Sequence, residues 1–229
     1  MRIDILTLFP DSLGDVLSES ILGRAQERGF IRIEAHQIRD YTASKQCQVD
    51  DYPYGGGRGA IMQADPLYRC WEHVCDEAGA PVHTIYLSPC GHYEGIDQRF
   101  IDECVDEELS LGDFVLTGGE IAAMAVTDAV CRMVPGVLAD PECFQDESHF
   151  GGLLEYPQYS RPALWHGLQA PEILLSGDHA KVARWRRKQA LRRTRARRPD
   201  MFERIIFETK QEKKLLAEIE EEGWEDGTG

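Results

Sequence analysis

The strongest constraint on the fold of this chain is an alternation that starts at its first residues. Short β-rich apolar runs give way to segments whose apolar residues recur at helical spacing. Ile3-Asp4-Ile5-Leu6-Thr7-Leu8-Phe9 is rich in strand formers and stops at Pro10, which cannot extend a hydrogen-bonded ladder. A helix capped by Asp11 or Ser12 is expected through about Gln26, with Leu13, Val16, Leu17, Ile21 and Leu22 on one side. Gly29 ends it, and Phe30 to His36 alternates as a second strand. The same reading gives a helix from about Asp65 to Ala78, a strand from Val82 to Leu87 stopped at Pro89, and a helix from Ile96 to Glu107. Phe114-Val115-Leu116 reads as a short strand and Glu120 to Val134 as a helix. Such alternation specifies an α/β layer built on a largely parallel sheet.

Beyond Pro135 the pattern changes. As far as Arg161 the chain is rich in Gly, Pro and acids, which marks a linker. Ala180 to Leu191 and Met201 to Glu221 then read as helices. The expected organisation is an α/β domain over 1–138, a flexible linker over 139–160 and a small helical domain over 161–229. A length of 229 residues suffices for one sizeable core with a smaller appendage. No apolar stretch approaches the roughly 18 residues of a membrane span, and the N-terminus lacks the marks of a secretion signal. The seven cysteines form no Cys-x-x-Cys pair, which argues against zinc ribbons and disulfide scaffolds and for reduced thiols in the cytoplasm. His36, His83, His92 and His179 match no metal-ligand spacing.

The net charge of −15 opposes nucleic acid only if it is uniform. It is not: Lys181, Arg184, Arg186, Arg187, Lys188, Arg192, Arg193, Arg195, Arg197 and Arg198 follow one another with no acid between them. Potentials act locally, within a Debye length of about 8 Å. This block can therefore meet a polyanion, or it can be a solvated helix face paired with the acidic stretch from Glu203 to Asp226.

Glycine-bearing segments carry the remaining signal. They are Tyr54-Gly55-Gly56-Gly57-Arg58-Gly59, Ser88-Pro89-Cys90-Gly91, His92-Tyr93-Glu94-Gly95, Ser110-Leu111-Gly112-Asp113 and Leu116-Thr117-Gly118-Gly119-Glu120. Glycine lets the backbone approach a ligand closely, and ligands bind beyond the carboxyl ends of parallel strands. None of these segments is a phosphate-binding or dinucleotide fingerprint.

In combination they are specific. Val49-Asp50-Asp51-Tyr52-Pro53-Tyr54-Gly55-Gly56-Gly57, Tyr86-Leu87-Ser88-Pro89, His92-Tyr93-Glu94-Gly95-Ile96-Asp97, the run from Leu111 to Glu120, Pro157-Gln158-Tyr159-Ser160-Arg161-Pro162 and Trp185-Arg186-Arg187-Lys188-Gln189 occur in this order. Together they resemble the bacterial tRNA (guanine-N1)-methyltransferases, over 1–202. That resemblance implies a SPOUT-class domain with a trefoil-knotted site for S-adenosylmethionine, a homodimer, and methylation of N1 of guanosine-37 in the anticodon arm of tRNA. It places the cofactor against Tyr86, Leu87, Ser88, Pro89, Gly91, Tyr93, Glu94, Leu111, Gly112, Leu116, Gly118 and Gly119. It gives the guanine to Glu94 and to Arg132, in the context Arg132-Met133-Val134-Pro135-Gly136, and the N1 proton to a linker carboxylate. Arg161, Arg184, Arg187, Lys188 and Arg192 are the candidate RNA contacts. Whether Mg²⁺ assists is left open. These roles suit the chemistry: N1 attacks only once its proton has a base within about 3 Å, and an arginine at O6 steadies the developing charge.

Two departures from the family pattern matter. The linker reads Asp146-Glu147-Ser148-His149-Phe150, so Glu147 or Asp146 can be the base. In addition, Pro89 runs straight into Cys90, where the family inserts roughly one helix–strand unit. The expected consequences are an altered or absent knot and weakened binding of the methyl donor, the alternative function being a catalytically impaired tRNA-binding homologue.

Overall fold

A computed structural model describes residues 1–56, 59–88, 95–138, 148 and 151–224. The chain divides into two compact units, Met1–Pro141 and Glu142–Gly229.

The first unit is the α/β layer. Strand β1 (Arg2–Thr7) runs parallel to β2 (Arg32–Gln37), with Asp4 opposite Glu34 and Leu6 opposite His36. Between them lie α1 (Asp11–Ser18) and α2 (Ser20–Glu27), two helices where the apolar period suggests one. Ser20 takes a left-handed φ of 54°, and the chain turns there. Gly23 makes the close approach possible, because a Cβ at that position would lie 1.9 Å from the carbonyl oxygen of Ser18. Leu13, Leu17, Leu22 and Ala25 pack with Ile31, Cys131 and Val137 into one core cluster.

After a 3₁₀ turn (Ile38–Tyr41), the short antiparallel strands β3 (Asp50–Asp51) and β4 (Ile61–Met62) lead into α3 (Ala64–Ala78). Gly79, at φ 58°, closes that helix in the left-handed conformation. Strand β5 (Ile85–Leu87) pairs in parallel with β6 (Glu107–Leu109) around α4 (Gln98–Cys104). A second core gathers Leu8, Ile38, Val49, Leu67, Cys70, Phe100 and Cys104. Burial pushes the Cys70 thiol up to about 12, as suits an inert core cysteine.

Two local expectations change here. Phe114-Val115-Leu116 is not a strand: Phe114 and Val115 are exposed, and no strand among the described residues pairs with them. The strand is Glu107–Leu109, within and just after the end of the expected helix. Glutamates are poor strand formers, but parallel pairing with β5 overrides propensity. The pairing is anchored by the Asp106 amide donating to the Thr84 carbonyl (2.9 Å) and the Thr84 amide donating to the Asp106 carboxylate (2.8 Å). Helix α5 (Glu120–Cys131) then packs against α1 and β1.

The second unit is helical apart from one hairpin, β7 (Leu164–Trp165) and β8 (Leu168–Gln169). It continues through α6 (Glu172–Leu175), the long α7 (His179–Arg197), α8 (Pro199–Phe202) and α9 (Lys210–Glu222). Asp178 caps α7, and a reciprocal Thr209–Glu212 capping box starts α9. Leu153, Ala190, Leu191, Leu215 and the fully buried Ile219 form its core. The Leu154 amide donates to the Thr194 hydroxyl at 2.8 Å, so the chain from Leu153 onward already belongs to this unit.

Candidate functional site

The parallel register of β5 and β6 sets Tyr86 opposite Glu108 and Leu87 opposite Leu109. The Ser88 amide continues the ladder by donating to the Leu109 carbonyl at 3.0 Å. The carboxyl ends of both strands therefore release their loops side by side. This brings Tyr86, Leu87 and Ser88 next to the segment that carries Leu111 and Gly112. A Cβ on Gly95 would lie 3.9 Å from the Tyr86 hydroxyl, so the chain returns past the same ring. Gly95 is fixed from the other side, because its carbonyl accepts from the Met62 amide at 3.1 Å. Pro89, Gly91, Tyr93 and Glu94 lie outside the described residues, as do Asp146 and Glu147.

From Ser110 to Gly119 the backbone has no regular structure. Gly112 has φ 153°, and a Cβ there would stand 2.9 Å from the Phe114 ring. Gly118 has an ordinary backbone, but a Cβ on it would fall 2.3 Å from Oε2 of Glu120. That carboxylate is held in place: its Oε1 accepts from the Thr7 hydroxyl at 2.7 Å, and the same hydroxyl accepts from the Phe9 amide at 3.0 Å. Glu120 thus ties the glycine turn to the carboxyl end of β1. Sequence reading passed over this residue, although an acid in the first turn of a helix behind two glycines was the available sign. Leu111, Phe114 and Val115 expose apolar surface along the same loop. Glycine turns beside exposed apolar groups are a composition compatible with an adenosine-bearing cofactor read by the backbone.

Arg132 caps the opposite end of α5, half-buried, with its amide donating to the Asp128 carbonyl at 3.1 Å. Twelve residues of helix span about 18 Å. Within one chain, the glycine turn and the arginine are therefore far apart.

The basic block is largely paired within its own unit. Arg184 pairs with Glu218, and Lys188 pairs with Glu218 (3.0 Å) and Glu222 (2.7 Å). Arg192 reaches Glu222 at 2.9 Å and Arg187 reaches Glu212 at 3.5 Å. Hydrogen bonds from Arg184 and then Lys188 hold the Glu218 carboxyl down to about 2. Four of the five candidate RNA contacts thus face carboxylates of α9, the alternative that charge patterning left open. Lys181 and Arg198 pair with Asp178 and Asp200. The Arg186 guanidinium stacks on Tyr156 (4.8 Å), and that of Arg195 stacks on Trp224 (4.0 Å). The fifth candidate, Arg161, lies instead in a cleft beside the hairpin.

Among the described residues, a single group has the composition of a metal site: Asp4, Glu34 and His36, gathered by the β1–β2 register. The Arg2 guanidinium already bonds there, to Asp4 at 2.8 Å and Glu34 at 3.2 Å, and it reaches Glu77 at 2.8 Å.

The family model described as tRNA (Guanine-1)-methyltransferase TrmD matches residues 1–89 and again 83–204. A tRNA (guanine-N(1)-)-methyltransferase of Chloroflexus aggregans is 49% identical over 249 aligned positions, covering 98% of this chain and 96% of its own. One from Ruminiclostridium cellulolyticum is 46% identical over 227, covering 90% and 97%. The crystal structure of tRNA (m1G37) methyltransferase from Aquifex aeolicus superposes with a TM-score of 0.71 at 32% identity, covering 87% of this chain and 93% of that one. The family match breaks at 83–89, where the sequence runs short. The alignment of 249 positions also exceeds the 229-residue chain by at least 20, which fall opposite gaps.

Proposed function

Because the chain belongs to the tRNA (guanine-1)-methyltransferase family, we propose that it transfers a methyl group from S-adenosylmethionine to N1 of guanosine-37 in the anticodon arm of tRNA. The observation that carries this reading is the side-by-side release of the β5 and β6 loops, secured by the Ser88 amide on the Leu109 carbonyl. When bound, the donor supplies an electrophilic methyl group on a positively charged sulfur. Tyr86, Leu87, Ser88, Pro89, Gly91, Tyr93, Glu94, Leu111, Gly112, Leu116, Gly118 and Gly119 are the residues that would hold it. Glu147 or Asp146 takes the N1 proton, which frees the nitrogen lone pair to attack. Arg132 faces O6 and balances the charge that gathers there, and Glu94 orients the base.

The separation along α5 supports a homodimer. Arg132 stands one helix length, about 18 Å, from the glycine turn of its own chain, and a second copy would bring an arginine to the guanine. Exposed Val16, Ile121, Val130 and Met133 on α1, on α5 and just past its end supply apolar surface for such a contact. No described helix is long and apolar enough to cross a membrane, and the proposed site of action is the cytoplasm, with its tRNA and methyl donor.

The test is transfer of radiolabelled methyl from S-adenosylmethionine to a tRNA transcript with guanosine at position 37. Label is expected on this transcript and not on one carrying adenosine there. Equal labelling of both, or of neither, overturns the assignment.

A further inference from the structure

The hairpin in the second unit displays apolar surface that its own fold does not use. His166 and Gly167 have φ of 50° and 82°, two consecutive left-handed residues that make the tight turn favoured by right-twisted strands. The register sets Trp165 directly opposite Leu168, on one face of the ribbon. Trp165 is 61% exposed and Leu168 67%. A tryptophan and a leucine held side by side in water by a two-residue turn are costly unless something covers them.

Beside them is a cleft of about 310 Å³, lined among others by Gln158, Tyr159, Arg161, Trp165, Leu168 and Gln169. Tyr159 is braced from behind by Trp185, with ring centroids 6.4 Å apart. In a chain with 40 acidic residues against 25 lysines and arginines, the described lining of this cleft contains a guanidinium and no carboxylate. No described carboxylate pairs with Arg161, in contrast to the neutralised cations of α7. Two aromatic side chains and one arginine, with no carboxylate in the described lining, offer what an unstacked nucleotide needs. The rings meet its π-face and the arginine its phosphate.

We infer that the β7–β8 hairpin and its cleft form a stacking site for one unpaired nucleotide of the substrate tRNA, with Trp165 as the platform and Arg161 as the phosphate contact. This rests on the tRNA-methyltransferase reading and adds to it a specific RNA contact outside the basic helix. Such a site supplies affinity through stacking, whereas the paired cations of α7 mainly stabilise the unit that carries it.

The experiment titrates a fluorescein-labelled tRNA transcript with the full chain and with Trp165→Ala, Trp165→Phe and Arg161→Gln, at several salt concentrations. Trp165→Ala should weaken binding about 5- to 150-fold and leave the dependence of log K on log salt unchanged, because stacking releases no counterions. Trp165→Phe should recover most of the loss. Arg161→Gln should weaken binding and lower the salt slope by about one phosphate. The thermal midpoint should hardly move, since Trp165 is mostly exposed. Unchanged affinity in Trp165→Ala overturns the inference, as does a loss that phenylalanine fails to rescue. A shift of Trp165→Ala from dimer to monomer in sedimentation does so too, because it makes the hairpin a protein–protein contact. If wild-type chain binds and methylates tRNA while Trp165→Ala matches it, only the stacking site falls. If wild type does neither, the proposed function falls with it.

Discussion

Gly118→Ala probes the link between the glycine turn and the body of the fold. Its backbone is in a conformation open to any residue, so the substitution acts only through the added methyl group. That Cβ would stand 2.3 Å from Oε2 of Glu120. A free glutamate would swing aside at little cost, but this one accepts from the Thr7 hydroxyl at 2.7 Å. Either the carboxylate leaves Thr7 or the turn shifts. Hydrogen bonds to charged groups are worth about 1.5–3 kcal/mol, and water reaching the half-exposed Glu120 offsets part of the loss, leaving about 1–2 kcal/mol. For a unit of this size that lowers the thermal midpoint by roughly 2–8 °C. If the turn shifts instead, the same energy appears as about 5- to 30-fold weaker donor binding by titration calorimetry. Thr7→Val separates this mechanism from simple crowding. With the Thr7–Glu120 bond already gone, Gly118→Ala should cost at most half as much, a coupling that a double-mutant cycle reads directly. An equal cost in both backgrounds, or none in either, would refute the reasoning.

The helical unit should unfold in acid. The Glu218 carboxyl sits at about 2 in the fold against an ordinary 4.5, so its contribution is complete above about pH 4.5 and is lost as pH falls toward 2. Circular dichroism of the full chain should show this loss, and Glu218→Gln should flatten it; identical profiles would count against the α7–α9 ion pairs. Of Asp146→Ala and Glu147→Ala, one should lower kcat by about 10²- to 10⁴-fold, and full activity in both would remove the linker base. Arg132→Ala mixed with the cofactor-blocked Gly118→Phe should regain part of the activity that each lacks alone, whereas no recovery would mean that copies do not share a site. Calorimetric titration with S-adenosylmethionine should give an affinity weaker than micromolar, and a micromolar constant would show that the shortened chain keeps a full donor site.

Much of the first unit was legible because its signals are local. The Pro10 stop, the Gly29 break and the helical signal of α3 each act within a turn or two. What escaped depends on distant partners. Glu107-Glu108-Leu109 is a strand only because Ile85–Leu87 lies beside it, and Phe114-Val115-Leu116, with better strand composition, has no such neighbour. The break at Ser20 follows from the crossing at Gly23, not from helix propensity. For the candidate site, the motif loops were readable as segments, but their adjacency comes from the β5–β6 register. The block from Lys181 to Arg198 was legible as charge and not as available charge, since only packing of Leu215 and Ile219 against Leu191 turns the α9 carboxylates onto it.

The run from Leu87 to Gly95 bears most directly on catalysis. Seven residues, 88–94, connect the end of β5 to the point where the Gly95 carbonyl accepts from Met62. A parallel crossover needs a dozen or more, so seven residues leave no room for a further helix–strand unit between these two positions. The family match breaks at 83–89, and the alignment of 249 positions with one relative leaves at least 20 opposite gaps in this chain. The loops that survive on either side, at Ser88 and at 110–119, still release together from the paired ends of β5 and β6. In the proposed reading the guanine side rests on Arg132 and on Asp146 or Glu147, which lie outside the shortened stretch. Loss confined to the donor side raises KM for S-adenosylmethionine and leaves kcat near that of full-length relatives, because the missing contacts bind ground state and transition state alike. A fall in kcat with unchanged donor KM would instead place the defect in the proton transfer or the arginine, and would contradict the view that the shortening only thins one wall of the cleft.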